Sequence, residues 1–94
     1  MWIEAITVRT ARPEQGTALL KEMKALRQEQ AMPELKWSAC YQSLIVENEI
    51  SVHLAWTEDS CPPGKTQCGL LIARRFAEHG LVHHTLWKLS HFLL

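Results

Sequence analysis

The stretch Trp2–Thr10, WIEAITVRT, is rich in Ile, Val and Thr and is followed by a turn-like Ala-Arg-Pro, so it reads as a β-strand. Side chains alternate across a strand, which puts Ile3 and Ala5 on one face and Trp2, Ile6 and Val8 on the other. Both faces are apolar, and only Glu4 interrupts them. A strand of this kind needs cover on both sides. That requirement limits what a chain of 94 residues can fold into.

The remaining periodicities supply the cover. Pro13 sits where a first helical residue belongs, because the N–H it lacks is not needed there, and Glu14 suits the positive end of a helix dipole. Leu19, Leu20, Met23 and Leu26 follow at helical spacing, with Lys21, Glu22, Lys24 and Glu29 pointing elsewhere. Gly16 is a weak point in that helix, and the helix is expected to stop near Ala31 because Pro33 restricts Met32. Leu35 to about Val46 is a second strand region, in which Trp37, Ala39 and Tyr41 alternate with Lys36, Ser38, Cys40 and Gln42. After the polar turn Glu47-Asn48-Glu49, Ile50–Thr57 alternates most cleanly. Ile50, Val52, Leu54 and Trp56 face one way, and Ser51, His53, Ala55 and Thr57 the other. Two such runs around a short turn form an antiparallel hairpin.

A loop from Glu58 to Gly64 leads to a second helix from about Lys65 to His79. Gly69, Ile72, Ala73 and Phe76 form its inner face, Arg74 and Glu78 are spaced four apart outside, and Gly80 suits the residue that ends a helix. A fourth strand, Leu81–Leu89, sets Leu81, Trp87 and Leu89 opposite Val82 and Leu86. The chain closes on the apolar His91-Phe92-Leu93-Leu94.

The order βαββαβ predicts an α+β, ferredoxin-like fold over residues 1–94 as a single domain: a four-stranded antiparallel sheet with two helices on one face. Two helices cover one face only. The economical cover for the other is a second copy of the sheet across a two-fold axis, with the apolar tail reaching over the partner. A chain this short buries only roughly 60–65% of its unfolded surface, so a homodimer also supplies burial that one copy lacks.

Composition excludes several roles. Ten basic residues balance ten acidic ones, whereas a nucleic-acid partner calls for clustered positive charge. The opening MWIEAITV has no basic segment ahead of a long apolar one, so no secretory signal is expected, and no apolar run is long enough to span a bilayer. Three cysteines cannot all pair, and their spacing is not that of a secreted scaffold, which points to the reducing cytoplasm.

Within SCPPGKTQCG, residues 60–69, Gly64-Lys65-Thr66 matches the end of a phosphate-binding loop. Such a loop needs a Gly four residues before Gly64, where this chain has Asp59, and Pro62 and Pro63 remove two backbone donors. The stretch instead reads as a helix start with Thr66 as its N-cap, leaving at most a weak anion site there. Cys61 and Cys68 have no zinc-finger spacing, and no metal site is expected. A thiol at Cys68, in a first helical turn, is placed where its pKa can fall.

The histidines are the candidates for chemistry, each weighed against the plainer reading of a hydrogen-bonded or surface side chain. His79 and His83 imitate a metal pair on a helix, but Gly80 breaks the helix between them. His83 and His84, adjacent on a strand, point to opposite faces. His53 lies between the small residues Ser51 and Ala55, a gap a ligand could fill. An imidazole near neutral pKa suits a general base on a phenol or enol. Trp37, Tyr41, Trp56 and Trp87 could stack on a flat aromatic ligand or fill core and interface.

The order of elements, the size, the WTE at residues 56–58 and the GLVHHTLW at residues 80–87 resemble the dimeric α/β-barrel superfamily, and within it the antibiotic-biosynthesis-monooxygenase-like domains. The resemblance implies a homodimer closed into a shared barrel. It also implies a cofactor-independent monooxygenase on an aromatic or enolisable molecule, in which the substrate carbanion reduces dioxygen. Neither that branch's histidine on the second helix nor the haem-degrading branch's asparagine on the first strand is present, since Lys65–Ala77 has no His and Trp2–Thr10 no Asn. The expected arrangement is a ligand between sheet and helices, with His53, His83 or His84 removing a proton and Tyr41, Trp56 and Trp87 lining the site. The alternatives are a dimeric ligand-binding or scaffold module without catalysis, and a haem protein with a histidine as axial ligand.

Overall fold

The computed structural model describes residues 1–26, 33–57 and 62–94. Their order is β1 (Trp2–Thr10), α1 (Pro13–Leu26), β2 (Leu35–Gln42), β3 (Glu49–Trp56), α2 (Gln67–Ala77) and β4 (Gly80–Lys88). The strands form one antiparallel sheet in the order β2-β3-β1-β4. This is the α+β, ferredoxin-like arrangement read from the sequence.

Directly opposed residues in an antiparallel pair share a face, so the register sorts every side chain. Trp2, Ile6 and Val8 of β1 and Ile50, Val52, Leu54 and Trp56 of β3 build the core with Leu19 and Met23 of α1 and Ile72 and Phe76 of α2. Both helices therefore lie on that face. The other face aligns Trp37, Ala39 and Tyr41 of β2, Ser51, His53 and Ala55 of β3, Ile3, Ala5 and Thr7 of β1, and His83, Thr85 and Trp87 of β4. It is open in one copy: Trp37, Tyr41, Leu81 and Trp87 are between 40 and 68% exposed.

Several local expectations are corrected. β2 ends at Gln42 rather than near Val46, because the Ser43 hydroxyl accepts the N–H groups of Ile45 and Val46 and turns the chain, leaving Leu44 and Ile45 in solvent. Asn48 completes the turn in the left-handed region at φ 63°, and its carbonyl accepts from the Thr10 N–H and hydroxyl. Glu78 pairs with Arg75 rather than Arg74, and Arg75 also bridges to Glu22 of α1, which holds the Glu22 carboxyl below its ordinary range. The second helix is shorter than expected, with Glu78 as its C-cap, so Gly80 opens β4 instead of ending α2. The end of α1 expected near Ala31 lies outside the described residues.

Gly16 faces Thr10 and Ile50, yet a Cβ there would stand 3.5 Å from Thr10 Oγ1 and 3.7 Å from Ile50 Cδ1, ordinary contact distances. Gly16→Ala is therefore expected to stabilise the protein by up to about 1 kcal/mol through the helix backbone. The check is a denaturant midpoint, and a lowered one would show that this space is already full.

Candidate functional site

Glu4 interrupts the apolar pattern of β1 on the face that meets the helices, and it is completely buried (0% exposed). An isolated carboxylate at such a place is strongly disfavoured, so it must be paired and hydrogen-bonded. The sheet register supplies partners on both sides. Glu4 lies opposite Leu54 of β3 and Leu86 of β4. Its diagonal neighbours are Trp56 on one strand and His84 on the other, within reach for long side chains. The Trp56 indole Nε1–H donates to Oε1 at 3.1 Å, and His84 Nε2 lies 2.6 Å from Oε2.

The third group of donors comes from the start of α2. Thr66 is the N-cap, as its position in the sequence suggests, and its hydroxyl accepts the Gly69 N–H at 2.9 Å. The same hydroxyl donates to Glu4 Oε1 at 2.6 Å, and the Thr66 N–H donates to Oε2 at 3.0 Å. Each carboxylate oxygen thus meets two polar partners at the positive end of a helix. The anion position suspected at the GKT stretch is filled by the chain's own carboxylate. Gly69 makes room for it: a Cβ at that position would stand 2.0 Å from Glu4 Oε2.

The electrostatics of Cys68 follow from this. Burial pushes its thiol pKa up, and the neighbouring Glu4 carboxylate pushes it the same way, so the lowering expected from a first helical turn does not occur. Cys40, on β2, is an exposed thiol. Both are free cysteines; Cys61 lies outside the described residues.

The register separates the residues singled out from sequence into two groups. Trp56 and His84 are on the helix side, joined through Glu4. Tyr41, His53, His83 and Trp87 are on the open face, so they do not share a space with Trp56. There the His53 ring packs on Tyr41 at 4.7 Å between centroids, and burial holds its pKa below the ordinary value. His79, at the end of α2, has both ring nitrogens buried without a hydrogen-bond partner. Glu4 is the residue that sequence reasoning left unused, although a lone acidic residue in an otherwise apolar strand was its signal.

No protein-family model matches the chain, and no curated protein matches it. Solved structures do. Rv0793 from Mycobacterium tuberculosis superposes with a TM-score of 0.64 at 15% identity, covering 100% of both chains. A structure described as an antibiotic biosynthesis monooxygenase gives 0.63 at 12% identity, over 97% of this chain and 100% of that one. SnoaB, a cofactor-independent oxygenase from Streptomyces nogalater, gives 0.55 at 15% identity, over 98% of this chain and 93% of that one. At these identities the likeness is one of fold, and it spans the whole chain: this protein has the ferredoxin-like fold of the antibiotic-biosynthesis-monooxygenase-like proteins.

Proposed function

We propose that the chain is a small oxygenase-like enzyme, one domain over residues 1–94, that acts without a cofactor on an aromatic or enolisable molecule held between sheet and helices. The observation that carries this reading is the buried contact of His84 with Glu4, where His84 is 7% exposed and Glu4 0%. Burying a carboxylate costs several kcal/mol, by order of magnitude, before its partners offset it. An apolar side chain would pack the same strand without that cost, and the imidazole that the carboxylate meets is the side chain suited to proton transfer near neutral pH. His84 is the base that takes the substrate proton, with Trp56 beside it as the aromatic wall. SnoaB, a cofactor-independent oxygenase, shares the fold.

The test is oxygen consumption with a panel of phenols and enolisable ketones. His84→Ala is expected to lower turnover by about 10²–10⁴-fold, the usual worth of a general base. Unchanged turnover in that variant would return the role to an open-face histidine, His53 or His83.

The open face supports a homodimer in the same reading. Trp37, Tyr41, Leu81 and Trp87 form an exposed apolar surface on one copy, and large exposed patches of this kind mark interaction sites. A second sheet, with the apolar tail Phe92-Leu93-Leu94 laid across it, covers them. The purified protein is expected to sediment as a dimer at micromolar concentration, and Trp87→Glu to shift it toward monomer. A wild-type monomer would contradict this assembly. No helix among the described residues is long and apolar enough to cross a membrane, and the free Cys40 and Cys68 suit a reducing cytoplasm.

One observation favours the rival reading, a ligand-binding or scaffold module. Trp56 stacks on Trp2 at 6.3 Å between centroids and 30° between planes, and both are buried. They fill space that a ligand would use. Saturable binding of an aromatic ligand with no oxygen consumption would decide for the module.

A further inference from the structure

From the contacts of Glu4 we infer that it is a positioning residue, which locks the neutral His84 ring in its Nε2–H tautomer and so makes Nδ1 the basic nitrogen. This deepens the oxygenase reading and rests on it for the role of the proton, although the tautomer itself is a property of the free protein. An ionised carboxylate has no proton to donate and only accepts. The 2.6 Å contact between Glu4 Oε2 and His84 Nε2 therefore needs its hydrogen on Nε2.

The other partners of Glu4 suit an ionised carboxylate, because each of them donates to it. The Trp56 Nε1–H and the Thr66 N–H have no acceptor capacity, so they donate to it. The Thr66 hydroxyl accepts from the Gly69 N–H and has its one proton left for Oε1. With a hydrogen on His84 Nε2, each carboxylate oxygen receives two hydrogen bonds. A proton on Oε1 would face the Trp56 and Thr66 donors, and one on Oε2 would find an acceptor only at a bare His84 Nε2; three donated hydrogen bonds at the positive end of α2 favour the charged carboxylate over that arrangement. The opposite tautomer, with Nε2 bare, would set a lone pair against the carboxylate in a site with no room for water to intervene, and is disfavoured.

The proton balance is simple. A weak oxygen or carbon acid gives its proton to Nδ1, the acid keeps the electron pair as its anion, and His84 becomes an imidazolium. Glu4 keeps its negative charge and stabilises that cation through the same hydrogen bond. The arrangement is carboxylate–imidazole, with β1 supplying the carboxylate, β4 the ring and the start of α2 the remaining hydrogen bonds. Nothing in the step requires an oxidant.

The test is long-range ¹H–¹⁵N correlation of the histidine rings in the labelled full-length protein, without ligand, at pH 8. The His84 signals are identified by their absence in His84→Gln. The expected result is a protonated Nε2 and a bare Nδ1, with the Nε2 proton far downfield because its acceptor is charged. Glu4→Gln is expected to move that proton upfield. A bare Nε2, a ring protonated at both nitrogens, rapid exchange between tautomers, or an unmoved proton in folded Glu4→Gln would each overturn the inference. If Glu4→Gln fails to fold, the wild-type pattern and proton position still decide. Since no turnover is measured, a correct tautomer in a protein that consumes no oxygen would defeat the oxygenase reading and leave this one standing.

Discussion

Replacing Glu4 with Ala is expected to lower the unfolding free energy by about 4 kcal/mol, a large part of the roughly 5–15 kcal/mol typical of a domain. The side chain itself is polar, so little apolar area is lost. The cost lies in what remains: the Trp56 Nε1–H, the Thr66 N–H and hydroxyl, and the His84 ring still converge on one point, now without an acceptor. Each buried donor left unmade costs about 1–3 kcal/mol. Water entering the space recovers part of this, which is why the loss is smaller than the sum. Denaturant unfolding of wild type and variant reads the difference, and formate in the buffer should restore some of it by occupying the vacated position. A loss below about 1 kcal/mol would mean that these four groups are not held together by the carboxylate.

Gly80→Ala is the second large effect, at about 3 kcal/mol or more, at or beyond the usual limit for overpacking. A Cβ at Gly80 would stand 2.0 Å from the Arg9 carbonyl oxygen, 2.7 Å from its carbon and 2.9 Å from the Thr10 Cα. These are backbone atoms of the adjacent strand, so no side chain can rotate away, and the β1–β4 pairing must open at Thr10–Gly80. The close approach is the reason for glycine here, since no described glycine has a positive φ. Parallel unfolding curves of Gly16→Ala and Gly80→Ala provide the comparison: one is expected to move up, the other sharply down. Equal midpoints would refute the close approach.

Much of the architecture was legible because the features that encode it are local. The two-residue alternation of Ile50–Trp56, the helical spacing of Leu19 and Met23, Pro13 at the start of α1 and Thr66 capping α2 each act within a few residues. Element order and the face each strand residue occupies follow from such patterns. The end of β2 is not legible in this way, because Leu44 and Ile45 are apolar while the turn depends on a single hydroxyl at Ser43.

By itself, then, the sequence determined the βαββαβ order, the two-sided apolar strand and the opposition of His83 to His84, because periodicity is written in consecutive residues. Tertiary structure alone decided that Glu4, Trp56, Thr66 and His84 meet, and that His53 lies across the sheet from them. Strand register and helix docking bring together positions dozens of residues apart. A buried carboxylate is tolerated only where such pairing delivers its donors, and no local pattern records that.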